Sequence, residues 1–359
     1  MNGAPRVVVS MGDPTGIGPE VTLAALLGRR RPNGLTPILV GDPEVYTAAA
    51  ALLGRQGRFR EWTPPSPLPR DGLAVRVISR LPARDRRPGR PSAAGGRAAH
   101  AAIVEAVRLI RTGCADALVT APICKANLIA AGLPAAGHTE LLAELSGGHA
   151  VRMMMVGSRL RVVLVTTHLA LRAVPPAITQ RLVGDTLAIA DRALTTHFGL
   201  SRPRLAVAGL NPHAGESGVF GNEEAQVIAP AVRVARRHGI DAQGPLAADS
   251  AFPLALDGRF DAVICMYHDQ GLAPFKLLHF ADGVNLTIGL PFIRTSPDHG
   301  TAHDIAGRGI ADPRSMIAAL KLAADLSRNR ASVAGRGSRR VRPGQAQGRQ
   351  HGTRAASSN

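Results

Sequence analysis

Short β-branched and aliphatic runs recur along the chain, separated by longer stretches whose apolar positions fall three and four residues apart. The runs at 6–11, 37–40, 73–78, 116–121, 153–156, 162–166, 205–210, 262–266 and 284–288 read as strands. Several are apolar without alternation, the pattern of a sheet covered on both faces. Helices are expected from the Gly16–Gly18 turn to about 29, then over 43–53, 97–111, 139–146, 178–197, 222–238 and 313–326. In 97–111, Ile103, Val104, Val107 and Ile110 share one face. Strands alternating with amphipathic helices predict an α/β fold with a mostly parallel sheet. Pro, Gly and Arg dominate 82–96, which reads as a mobile surface loop. Apolar periodicity ends at Leu326, so 327–359 reads as a disordered basic tail.

Composition bounds the class. The chain has 359 residues, 45% hydrophobic and 19% charged, enough for one large or two medium cores. Three cysteines (Cys114, Cys124, Cys265) form no CxxC pair and no disulfide framework. The apolar stretch 151–165 is cut by Arg152, Arg159 and Arg161, so no membrane span is expected. Without an apolar leader pattern at the start, the expected location is cytoplasmic. The formal net charge of +17 resembles a nucleic-acid signal until it is located. Residues 54–97 hold eleven Arg against three acids, and 327–359 hold eight Arg and no acid. The charge is therefore concentrated in two Pro/Gly/Arg-rich stretches rather than spread over a folded face, and no nucleic-acid partner is expected. The three lysines, Lys125, Lys276 and Lys321, stand out by rarity.

Open α/β sheets place ligands at the carboxyl ends of their strands. Unusual polar clusters follow the strands here: Asp13-Pro14-Thr15-Gly16, Thr120-Ala121-Pro122 with Lys125, Thr166-Thr167-His168, Asn211-Pro212-His213-Ala214-Gly215-Glu216 and Tyr267-His268-Asp269-Gln270-Gly271. His168, His213 and His268 each follow an apolar strand directly, 45 and 55 residues apart. That spacing is too long for a local finger but open to a three-His site built across one sheet. Set against this is the ordinary histidine at a strand end. Lys276, Asn285 and Arg294 suit a phosphate or carboxylate, or else plain surface polarity. His138 and Thr139 open a helix, where free N–H groups favour an anion; a simple Thr139 cap is compatible with this. Residues 12–18, GDPTGIG, match neither common phosphate-loop pattern and read as a shaped turn before a helix.

Six ordered motifs then resemble one family: MGDPTGIGPE (11–20), GHTELLAEL (137–145), LRVVLVTTHLALR (160–172), GLNPHAGESGVFGNEE (209–224), MYHDQGLAPFK (266–276) and GVNLTIGLPFIRTSPDHGTAHDIAGRG (283–309). Over about residues 6–326 the chain resembles the 4-hydroxythreonine-4-phosphate dehydrogenases of vitamin B6 synthesis, whose fold is similar to that of isocitrate and isopropylmalate dehydrogenases. The resemblance implies a two-domain α/β/α architecture. Residues 1–130 plus 290–326 would form one domain, 131–289 the other, with the active site between them. It implies one divalent ion (zinc, magnesium or cobalt) on His168, His213 and His268. Substrate would lie on His138, Thr139, Lys276, Asn285 and Arg294. NAD or NADP would lie on Thr295, Ser296, Gly300, Thr301 and Asp304. Lys276 or Asp249 is the expected base, and a homodimer sharing its active sites the expected assembly. The implied reaction is oxidation and decarboxylation of 4-phosphooxy-L-threonine to 3-amino-2-oxopropyl phosphate. The alternatives are a 4-phospho-D-threonate or 4-phospho-D-erythronate 3-dehydrogenase and, from another class, nucleic-acid binding through the tail.

Overall fold

The computed structural model describes residues 3–133 and 137–339. Its strands are β1 (Arg6–Ser10), β2 (Thr36–Gly41), β3 (Phe59–Glu61), β4 (Leu73–Val77), β5 (Ala117–Thr120), β6 (Arg152–Val156), β7 (Arg161–Leu164), β8 (Arg204–Ala208), β9 (Asp241–Leu246), β10 (Ala262–Cys265), β11 (Val284–Ile288) and β12 (Ile293–Pro297). They form one sheet in the order β3-β4-β2-β1-β5-β12-β11-β6-β7-β10-β8-β9. The helices are α1 (Gly18–Leu27), α2 (Pro43–Leu52), α3 (Ala93–Arg111), α4 (Lys125–Ala130), α5 (His138–Leu145), α6 (Val174–Ala177), α7 (Gln180–Thr196), α8 (Ala229–Arg237), α9 (Ala248–Leu256), α10 (His268–His279) and α11 (Arg314–Arg339). A π-helical turn, Glu224–Ile228, leads into α8.

Two parallel blocks make up the sheet. From β3 to β12 every pairing is parallel, as is every pairing from β7 to β9. Antiparallel pairings of β11 with β12 and β6, and of β6 with β7, join the blocks, so the blocks run in opposite directions. The expected boundary at residue 290 falls between β11 and β12, across which the sheet is continuous.

The unbroken apolar strands are explained by burial on both faces. Val7 and Val9 belong to a core with α1 and α11, while Val8 on the opposite face packs with Ile103 and Val107 of α3. Alternate side chains of one strand thus enter different cores. Local caps fix where helices begin. The Asp42 carboxylate accepts from Glu44 N before α2, and the Ser92 hydroxyl accepts from Gly95 N before α3.

Several elements differ from the sequence reading. Strands β3, β9 and β12 and helices α4, α6, α9 and α10 were not anticipated. The first two are edge strands, where a sequence such as DAQGPL, with its Gly and Pro, is tolerated. Helix α10 accommodates Gly271 and Pro274 internally, which hides its period. The 82–96 segment is not a mobile excursion but a packed one. Ala83–Arg86 form a 3₁₀ turn, Arg86 pairs with Glu44, and Gly89 N donates to the Thr15 carbonyl at 2.8 Å. Helix α11 runs thirteen residues past Leu326, correcting the expected start of the disordered tail. No proline interrupts 327–339, so an anchored helix extends one hydrogen bond per residue. Arg328 also ties this extension back, pairing with Asp325 and donating to the Gly34 carbonyl at 2.9 Å. The remaining tail, 340–359, lies outside the described residues.

Candidate active site

A cavity of about 380 Å³ opens where the two blocks meet. Its wall includes His138, Thr139, Lys276, Asn285 and Arg294, all five of the expected substrate residues, together with His168, Ser296 and Gly300. The antiparallel β11–β12 pair explains part of this convergence. Asn285 stands opposite Ser296 and Thr287 opposite Arg294.

Arg294 is the dominant charge. Its side chain is only 2% exposed. Its guanidinium donates to Thr120 Oγ1 at 2.6 and 3.1 Å and to Thr287 Oγ1 at 2.8 Å. Burial pushes its pKa down to about 9, against the pull of Glu140. Two hydroxyls thus orient a desolvated cation that has no carboxylate in ion-pair contact among the described residues. Such a cation favours a bound anion, because burying a charge is costly unless it is matched.

His138 lies at the start of α5, whose N-cap is Gly137, with no side-chain cap. Thr139 is therefore not the cap, and the first N–H groups of the helix need other acceptors. Burial and the nearby Arg294 hold the His138 pKa well below the ordinary range, overcoming a hydrogen bond to the Ala121 backbone. His138 is consequently neutral at physiological pH. His138 Nε2, Asn285 Oδ1 and His299 Nε2 are buried without hydrogen-bond partners among the described residues, and all three residues line the cavity. Orphaned polar atoms around one cavity are the mark of a ligand site. Lys276, on α10, pairs with Asp298 at 3.1 Å.

The three candidate metal ligands follow β7, β8 and β10, which are neighbours in the order β7-β10-β8. The rings of His168 and His268 lie 5.6 Å apart. Burial, and then the neighbouring His268 and Lys125, lower the His168 pKa despite Glu140, so its imidazole is held neutral, as a ligand must be. Gln270 braces this end of the block: its Oε1 accepts from Met266 N at 2.7 Å and its Nε2 donates to the Gly209 carbonyl at 2.6 Å. Glu224 holds the next loop through Leu210 N and Asn211 N, both at 2.7 Å. His213 is exposed and lies in a left-handed turn with φ of 52°, its ring 6.2 Å from Phe220. A single chain therefore brings two of the three histidines together. The donor set fits zinc-class ions: three imidazoles, two of them adjacent and none buried.

The expected cofactor residues divide. Ser296 and Gly300 face the cavity. Thr301 lies against the turn after β1, its carbonyl accepting from Ile17 N at 2.9 Å. That turn needs glycine: Gly12 has φ of 71°, and a Cβ there would meet the Pro122 carbonyl oxygen at 2.5 Å. Asp304 is exposed. Thr295 is fully buried and donates to the Ala319 carbonyl at 2.9 Å, so it braces β12 against α11 instead of facing a cofactor. Asp249 is exposed on α9 and is absent from the cavity wall, which leaves Lys276 as the candidate base within one chain. Thr287, Glu140 and Asp298 were not singled out from the sequence, and Thr120 only as part of a polar cluster at a strand end. For Thr287 the signal was the two-residue spacing from Asn285 on one strand face, hidden because its partner strand β12 was not among the expected strands.

Comparisons with known proteins agree with this geometry. The family model "Pyridoxal phosphate biosynthetic protein PdxA" matches residues 33–323. A 4-hydroxythreonine-4-phosphate dehydrogenase of Geobacter metallireducens is 49% identical, over 93% of this chain and 99% of its own length. One from Bradyrhizobium diazoefficiens is 44% identical, over 91% and 98%. The crystal structure of the enzyme from Klebsiella pneumoniae superimposes with a TM-score of 0.83 at 39% identity, covering 91% of this chain and 99% of that one. With a buried arginine, an uncapped helix start and one histidine of a close pair on the wall of one cavity, and with relatives matched over nearly their whole length, the chain belongs to the PdxA family of pyridoxal phosphate biosynthetic proteins.

Proposed function

We propose that the protein oxidises and decarboxylates 4-phosphooxy-L-threonine to 3-amino-2-oxopropyl phosphate. The observation that carries this reading is Arg294, a buried cation held by two threonines beside neutral His138 and the open start of α5. Those groups suit a phosphate dianion, and their fixed positions set the register of the substrate. Ser296, Gly300, Thr301 and Asp304 would hold NAD or NADP, and His168, His213 and His268 a divalent ion such as zinc, magnesium or cobalt. When bound, these supply a hydride acceptor and a Lewis acid. The chain's own residues do the rest. Asn285 offers its orphaned Oδ1 to a substrate donor such as the amino group. Lys276 is the group placed to exchange the hydroxyl proton through its Nζ, with Asp298 fixing the side chain. The resulting β-keto acid loses carbon dioxide readily.

The reading includes a homodimer with shared sites. Leu169 (47% exposed) and Leu171 (69%) follow His168, Val219 (72%) and Phe220 (49%) follow His213, and Leu277 (87%) and Phe280 (80%) flank Lys276. Apolar side chains clustered around half-exposed ligands suit a second copy that covers them and completes the donor set. Within the described residues no helix is long and apolar enough to cross a membrane.

The test is reduction of NAD or NADP followed by absorbance, with a divalent metal and a substrate panel. Phosphorylated 4-hydroxythreonine should be oxidised well and its dephosphorylated form poorly. Equal use of the two would overturn the phosphate site. Preference for 4-phospho-D-threonate or 4-phospho-D-erythronate would redirect the substrate assignment.

A further inference from the structure

A second group of potential ligands lies outside the histidine pair. Asp13, in the turn after β1, Cys124, in the turn after β5, and His303, in the loop after β12, offer ligand atoms within 4.8 Å of one another. Asp13 is buried, and the other two are partly buried. We propose that Asp13, Cys124 and His303 form a binding site for a thiophilic divalent cation of the zinc class, separate from the three-histidine site.

The chemistry of the donors supports this. One carboxylate, one thiol and one imidazole make a mixed O/S/N set, and three protein ligands with an open fourth position are a common zinc arrangement. Each donor has capacity to spare. Asp13 Oδ1 accepts from Thr15 N at 2.8 Å and from Thr15 Oγ1 at 2.7 Å. Asp13 Oδ2 accepts from Asn127 Nδ2 at 2.6 Å and faces His303 Nε2 at 3.4 Å. These bonds orient the carboxylate as supporting groups around a metal do and leave Oδ2 a lone pair. Cys124 occupies the N-cap position of α4, yet its side chain makes no cap bond. His303 Nδ1 lies 3.4 Å from Thr301 Oγ1, which sets the ring with Nε2 towards Asp13.

The distances are compatible with closure. Bonds of about 2.0–2.3 Å in tetrahedral geometry place ligand atoms roughly 3.3–3.8 Å apart. Drawing the present atoms together by about 1 Å, through side-chain rotation, reaches that geometry. On binding, the thiol gives its proton to solvent and the imidazole stays neutral. An ion there would add a cross-link between the turns after β1 and β5 and the loop after β12, beside existing contacts such as Ile17 N to the Thr301 carbonyl at 2.9 Å and Thr15 Oγ1 to His303 Nε2 at 3.4 Å.

Cobalt(II) is the probe, because only a sulfur ligand gives a near-ultraviolet thiolate-to-cobalt charge-transfer band; a histidine site gives visible ligand-field bands alone. Full-length protein, stripped of metal and kept reduced, is titrated with cobalt(II). The wild type should show the charge-transfer band. Cys124→Ser should lose that band and one bound ion per chain while keeping its circular dichroism and the visible bands of any histidine site. His303→Gln, which retains the thiol, should weaken the band or shift its titration to higher cobalt. Absence of the band in the wild type, or its survival in Cys124→Ser, overturns the proposal. Failure of the three-histidine reading would instead remove the sulfur-free bands and leave the charge-transfer band in place.

Discussion

Two neighbouring regions are built in opposite ways. The side proposed for the anion is made by strands: Arg294 and Thr287 stand opposite each other across the β11–β12 ladder, and Thr120 ends β5 beside them. Backbone pairing fixes those side chains before any ligand arrives, and all of these contacts form within one chain. The side proposed for the metal is made by loops after β7, β8 and β10. Only His168 and His268 are adjacent there, and His213 stands in an exposed left-handed turn among uncovered apolar side chains. A group held by a ladder is preorganised; one held by loops depends on what else packs against it.

The largest expected effect tests the loop side. His168→Ala or His268→Ala should abolish turnover and weaken divalent-ion binding by calorimetry while circular dichroism stays unchanged, because His168 is exposed and His268 partly exposed. Full activity of either variant would remove the metal assignment and with it the contrast.

Arg294→Ala tests the ladder side. Removing a charge-assisted phosphate contact should cost about 2–3 kcal/mol, or roughly 30- to 150-fold in kcat/KM for the phosphorylated substrate. Because Arg294 is buried, thermal unfolding must be followed in parallel. Unchanged kcat/KM in a folded variant would show that the phosphate binds elsewhere.

A smaller effect comes from pH. Burial lowers the Arg294 pKa to about 9, so the cation is present below that value and is lost as pH rises through it. In the free enzyme, kcat/KM for the phosphorylated substrate should therefore fall above about pH 9, and more steeply than for a dephosphorylated analogue. Parallel profiles for the two substrates would contradict the role of the arginine.

The smallest effect concerns α11. Beyond Leu326 its described side chains are exposed or partly exposed, and the Arg328 contacts lie at the surface. Truncation after Leu326 should lower stability by less than about 1 kcal/mol, the scale of surface ion pairs, with activity unchanged. A large fall in melting temperature would show that the extension docks firmly, making it a third kind of region beside the ladder and the loops.

Much of this molecule was legible in its order of residues. Unbroken apolar runs identified most central strands, since strands covered on both faces admit few polar side chains. Rare polar groups placed after those runs identified His138, His168, Lys276 and Arg294 on the cavity wall and His268 beside His168. What the chain order concealed was pairing. The segment Ile293–Pro297 carries Arg, Thr, Ser and Pro and resembles a loop, yet it is a central strand because Thr120, Thr287 and Ala319 accept its polar groups. For the same reason Thr295 was misread as facing a cofactor. Local sequence determines which residues can form strands and which are chemically able to bind; it carries no information about which hydrogen-bond partner each polar group will find across 174 residues, as Arg294 finds Thr120. That choice belongs to the tertiary structure, because burial makes an unmatched polar group costly and only the assembled sheet supplies the match.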